Sequence, residues 1–311
     1  MQSRTVIIST TAFLTALTAY WSLIPGIGFL LEIYLVWGVV VATIERHHWT
    51  IIGASAAALI LGAIPGIAVI PMMFLMPSLV KLVLPAMVIG FLLNRGIKAT
   101  AVFWVAVGCM TLIMTVIYLQ MLEFIVELIE NVHLRSLAWI KSTLATAGYS
   151  TEIIDSTSDS LAQGKNILFH LLPGLMILTG IGQIFVSMVL VEWYFTRRDS
   201  YFPGFGRFIY WKMPEKLLYF WVAAILIRLI WDGTAQMVAD NALLIFVSFY
   251  SVTGLSLLEY GLRKLRLPKL IRIIFYLGLF FMQLPGLIAA AAAGLFDSYF
   301  DFRKVRAHSL G

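Results

Sequence analysis

The chain has a single cysteine, Cys109, set in an apolar run, so no intrachain disulfide can form and the redox compartment stays open. It also lacks a Gly-x-x-x-x-Gly-Lys-Ser/Thr phosphate loop and a His-Glu-x-x-His pair. ATP hydrolysis at a Walker site is therefore excluded. The chain is read as a non-enzyme with no cofactor and no metal site. Charge is scarce as well: charged residues make up 12% of the sequence, against about 25% in a soluble domain. Apolar residues reach 61%, against about 45–50% in soluble proteins. Mean hydropathy is +0.93. A chain of this size cannot bury so much apolar surface in its own interior, so lipid is the solvent.

The fold class that follows is all-α, a polytopic transmembrane bundle of 8–10 spans with an external amphipathic helical hairpin. Crossing a bilayer takes about 20 residues, fewer where it thins. The apolar runs place spans at Val6–Ile24, Phe29–Ile44, Thr50–Ile64, Met72–Leu93, Thr100–Gln120, Asn166–Val191, Leu217–Trp231 and Asn241–Leu258. Ile271–Gln283 and Leu287–Phe302 form two short crossings or one kinked helix. The first run resembles a secretory signal, but further apolar residues follow directly, so it is read as a retained span. Residues 1–120 thus form an N-terminal bundle, 121–165 a helical insert and 166–311 a C-terminal bundle. In the insert, Leu122, Ile125, Leu128, Ile129, Val132 and Leu137 recur near helical spacing. A turn near Gly148-Tyr149-Ser150 and a short helix over Ile153–Leu161 follow.

Charge orients this layout. Of the 22 Lys and Arg residues, Arg135, Lys141 and Lys165 fall on one side, together with most of the loop acids. Lys81 and Arg228 lie inside apolar stretches, and the others fall opposite. Basic short loops stay in the cytoplasm, so both termini are expected there, in a bacterial cytoplasmic membrane. The net charge of +6 is this loop bias and does not indicate a nucleic-acid partner. The same holds for the aromatic and basic inner loop from Trp193 to Lys216, whose Trp211 and Pro214 are candidate docking residues for a membrane or cytoplasmic partner.

Pro-Gly punctuates the chain at Pro25, Pro65, Pro173 and Pro285, each flanked by Ile or Leu. Proline removes a backbone donor and glycine permits unusual dihedrals, so each copy ends or breaks a helix. Three serve as turns in the layout, whereas Pro173 falls within a span.

Ionisable groups inside spans are costly and mark candidate function. Lys81 is the deepest, bracketed by Pro77 and Pro85. Glu32, His170 and Arg228 lie in outer parts of their spans, with Asp232 one turn beyond Arg228. Two readings stand. These five residues line a solute pocket open to the outside, or Glu32–Lys81 and Arg228–Asp232 are structural pairs with His170 hydrogen-bonded beside them.

The early spans with Pro-Gly turns, the stretch Trp211-Lys212-Met213-Pro214-Glu215 and the ending Asp297-Ser298-Tyr299-Phe300-Asp301-Phe302-Arg303 carry a resemblance over most of the chain. In these the chain resembles the YybS-like family of bacterial polytopic membrane proteins. It is distantly similar to the substrate-binding subunits of energy-coupling-factor vitamin transporters, though its span count is larger. That similarity implies an outer-half solute pocket and docking through small-residue helix faces, which Ala12-x-x-x-Ala16 suits. The function expected is a solute-binding or transport-associated subunit capturing a small molecule from outside. The alternative is a non-transporting scaffold of an envelope assembly.

Overall fold

The computed structural model describes residues 27–47, 49–53, 72–198 and 204–303. The span expected over Val6–Ile24, the docking face Ala12/Ala16 and the Pro-Gly copies at Pro25 and Pro65 lie outside them, as does most of Thr50–Ile64. The helices are α1 (Ile27–Ile44), α2 (Met72–Asn94), α3 (Ala99–Gln120), α4 (Leu122–Thr146), α5 (Thr151–Thr196), α6 (Lys216–Ile230), α7 (Thr234–Lys264), α8 (Lys269–Phe281) and α9 (Leu284–Phe300). No strand occurs among the described residues. The protein is an all-α polytopic membrane protein. Among the described residues, α3, α5, α7 and the stretch Pro77–Asn94 of α2 are long and apolar enough to cross a membrane.

One expectation is corrected. The short helix over Ile153–Leu161 and the span over Asn166–Val191 are one continuous helix, the 46-residue α5. Gly164 lies within this helix with open space around it. The expected turn near Gly148 is present: Gly148 takes φ 78 between α4 and α5, and Lys165 pairs with Glu130 at 2.8 Å across the two arms. The last apolar pair is the two separate helices α8 and α9, bent by 113° at the break before Leu284, with Pro285 in the first turn of α9. Their lengths are 13 and 17 residues.

The residues form two compact units, one of Met1–Glu123 with Met176–Phe205 and the other of Phe124–Leu175 with Gly206–Gly311. In the first, α1 lies on α2 with Val36, Val40, Leu82, Ala86 and Ile89 buried. Gly90 permits that approach, since a Cβ there would come within 2.9 Å of the Val40 carbonyl. Ser187 of α5 donates to the Ile33 carbonyl at 3.0 Å. In the second unit, α7 and α9 meet backbone to backbone at Gly254 and Gly294, where an added Cβ would overlap the carbonyls of Ala290 and Tyr250. Apolar side chains gain little from leaving lipid for a neighbouring helix, so close small-residue packing of this kind is what holds membrane helices together.

The inner loop read as a docking surface is partly folded into this second unit. Arg303, fully buried with Asp297 at 2.6 Å, donates to the carbonyls of Ile209 and Trp211 at 2.6 and 2.7 Å. It also reaches Ser256 Oγ at 2.6 Å. Lys212 pairs with Asp301 at 2.9 Å. Pro214 stays exposed at the start of α6. Arg303, expected among the cytoplasmic basic residues, is also the centre of a buried network that reaches Asp297 Oδ2 and two carbonyls.

Candidate functional site

Lys81 sits on α2 between Pro77 and Pro85. Proline cannot donate to the carbonyl four residues earlier, so Pro85 leaves the Lys81 carbonyl without its helical donor. The Lys81 ammonium lies 3.0 Å from both carboxylate oxygens of Glu32 on α1. Gln183 of α5, itself buried, donates its amide to Glu32 Oε2. Three helices of the first unit therefore converge on one carboxylate. A buried charge persists when paired and hydrogen-bonded, and this cluster supplies both.

The same ammonium borders open space. A cavity of about 180 Å³ is lined by Lys81, Ser78, Thr179, Met114, Ile117 and Met176, with Pro77 and Met121 completing the wall. Its surface combines one cation, two hydroxyls and flexible thioethers. Beside it lies a larger apolar cavity of about 370 Å³, walled by Val80, Leu112, Ile113, Val116 and Gln120. The two share Pro77 and Ile117.

His170 is not among the residues lining either cavity. It belongs to the second unit, where its Nε2 lies 2.9 Å from Asp240 Oδ2. Arg228 pairs with the other oxygen of the same carboxylate. The expected Arg228–Asp232 pair is overturned. Helix α6 ends at Ile230, so Asp232 is not one helical turn beyond Arg228 but exposed in the following loop. Asp240, read as a loop acid, stands instead on α7, which begins after Gly233 at φ 69. Next to it, Asn241 bridges α5 at the proline: its Nδ2 donates to the His170 carbonyl at 2.8 Å, and its Oδ1 accepts the Gly174 N–H at 2.6 Å. The five residues singled out from sequence thus divide into a Glu32–Lys81 cluster, a His170–Arg228 cluster and the separate Asp232.

The sequence reading missed three members of these clusters. Gln183 was visible as a lone amide in an apolar run. Asp240 and Asn241 were adjacent polar residues at the edge of one, and a helix start placed after Gly233 rather than at Asn241 brings both onto a span. Among the described residues, no group of His, Cys, Asp and Glu side chains is arranged to hold a metal ion.

A family model described as predicted membrane protein (DUF2232) matches residues 9–298, and the chain belongs to that family. No curated protein and no solved structure matches it.

Proposed function

We propose that this DUF2232 protein is a solute-binding or transport-associated membrane subunit, not an enzyme, that takes a small molecule from the outer side at the cavity beside Lys81. One observation carries the reading. A lysine held within a membrane span by Glu32 at 3.0 Å also lines a cavity of about 180 Å³. Two of the three ammonium protons are directed at Glu32, leaving the third for an acceptor atom of a solute. The Ser78 and Thr179 hydroxyls flank that position. Without a Walker site, energy for transport would come from a partner subunit. In this proposal the partner meets the chain at Pro214 and at Ala12-x-x-x-Ala16, as the similarity to energy-coupling-factor subunits implies. Both termini face the cytoplasm of a bacterium, following the basic-loop bias.

The scaffold alternative draws on the same pair, because Glu32 already neutralises Lys81. Mass spectrometry of small molecules released from the purified protein separates the two. The wild type is expected to release a solute that the double variant Glu32→Gln/Lys81→Met does not carry. That variant removes both charges together and so leaves none buried alone. Identical small-molecule profiles from the two folded proteins would sink solute binding and leave the scaffold. Orientation is tested separately with a cysteine at position 150 in a Cys109→Ser background. Labelling from the cytoplasmic side alone would reverse the topology.

A further inference from the structure

We infer that the solute of the Lys81 site is a membrane-borne amphiphile, with an uncharged hydrogen-bond acceptor at its head and an apolar tail held between α2 and α3. The inference rests on the proposed solute-binding reading and names its ligand class. The two cavities of the first unit are neighbours through Pro77 and Ile117, and they differ in chemistry. One holds Lys81, Ser78 and Thr179. The other is walled by aliphatic side chains, with only Gln120 polar. A head at the first and a tail in the second match this polarity step.

The aliphatic cavity also opens sideways. Leu112 is 68% exposed, and Val116 and Val80 are 45% and 42% exposed. These residues lie on helices that read as spans, so the surface they expose meets hydrocarbon. Behind them, Ile117 is buried and closes the inner wall toward the Lys81 cavity. A ligand dissolved in the bilayer therefore reaches the groove without passing through water, and the groove contacts its chain on the protein side.

Charge decides the head. Glu32 and Lys81 cancel, and the Gln183 amide adds none. An anionic head would leave one uncompensated negative charge in a low-dielectric site, which is strongly disfavoured. A carbonyl or hydroxyl oxygen takes the remaining ammonium proton at no such cost.

Photolabelling tests this, with a twelve-carbon methyl ketone bearing a diazirine at the far end of its chain, applied to the full-length protein in lipid nanodiscs. Label is expected on Val80 and on the Leu112–Gln120 segment. Excess 2-dodecanone should compete it away, and dodecanoate should not. Val116→Trp fills an exposed position of the groove without touching the core, and should cut the competable label at least fivefold. Competition should strengthen along a 2-alkanone series until the chain fills the groove, by less than the roughly fourfold per methylene of transfer from water, because the chain starts in hydrocarbon. Referring each value to Val116→Trp in the same nanodiscs cancels simple partition into lipid. Label spread along α3 without competition, while the wild type still releases a solute that Glu32→Gln/Lys81→Met lacks, would overturn the amphiphile and leave solute binding intact. Loss of both results would overturn both. Stronger competition by dodecanoate than by the ketone would overturn the uncharged head.

Discussion

Asn241 and Gly174 are joined by a 2.6 Å hydrogen bond in which the glycine N–H donates to the asparagine side chain. The same side chain donates to the His170 carbonyl at 2.8 Å. His170 and Gly174 are the two ends of one i→i−4 rung of α5, at the position where Pro173 removes the donor of the preceding rung. A side chain from α7 thus holds together a stretch of helix that its own sequence weakens. Glycine is required there, because a Cβ would sit 2.6 Å from Asn241 Oδ1.

Asn241→Leu is expected to lower stability by about 1–3 kcal/mol, the cost of leaving buried backbone groups without partners. Thermal unfolding in detergent measures this. An unchanged midpoint would show that the α5 ladder closes without help from α7.

The shared carboxylate of Asp240 sets a second expectation. It serves both His170 and Arg228, whereas Asp232 lies exposed in the loop. Asp240→Asn should destabilise the protein by on the order of 1 kcal/mol, because the half-exposed Arg228 is partly screened. Asp232→Asn should leave the midpoint where it is. The reverse order in the same unfolding assay would restore the pair expected from sequence.

Acid should weaken the hairpin of α4 and α5. The hydrogen bond from Lys165 holds the Glu130 carboxyl below its ordinary 4.5, helped by the charges of Lys165 and His133 against a smaller desolvation cost. A carboxylate with a depressed folded value adds stability above its unfolded value, and loses it as pH falls through the folded one. Unfolding midpoints of the wild type and Glu130→Gln should therefore differ near neutral pH and converge as pH drops below 4.5. Salt should shrink the difference, because the pair is exposed. A gap that widens on acidification would contradict the assignment.

How far the sequence reached depended on which physical rule governed each residue. Glu32 and Lys81 were legible as a pair because isolated opposite charges in neighbouring spans have few other ways to be satisfied. The break before Pro285 was legible because a proline ends the helix that precedes it and is tolerated in the first turn of the next. Asp240 and Asn241 were not, because a hydropathy window begins α7 where apolar residues begin, whereas the helix itself begins after the left-handed turn at Gly233. Arg303 was placed by loop charge statistics, which say nothing of a carboxylate six residues earlier. The Lys81 cavity depends on three helices meeting, which no local pattern specifies.

The contact between α7 and α9 was also invisible in sequence, although its residues are conspicuous there: Gly254 in one helix, and the run Ala289–Ala293 with Gly294 in the other. The obstruction at each glycine is backbone. A Cβ at Gly254 would meet the Ala290 carbonyl, and one at Gly294 would meet both the Tyr250 carbonyl and, at 2.6 Å, the Gly254 nitrogen. Backbone in a continuous helix cannot turn aside as a flexible side chain can, so the helices would have to separate. Separation would also draw Ser251 Oγ away from the Leu287 carbonyl, now 3.1 Å distant. Gly254→Val and Gly294→Val should each cost about 1–3 kcal/mol or more from overpacking. Gly261→Ala on α7 and Gly278→Ala on α8 have nothing within 4 Å of the new methyl. They should be neutral or stabilising by up to about 1 kcal/mol through helix propensity. Size-exclusion profiles and unfolding midpoints of the four variants check the contrast. If Gly294→Val elutes and melts like the wild type, the two helices do not touch along this face.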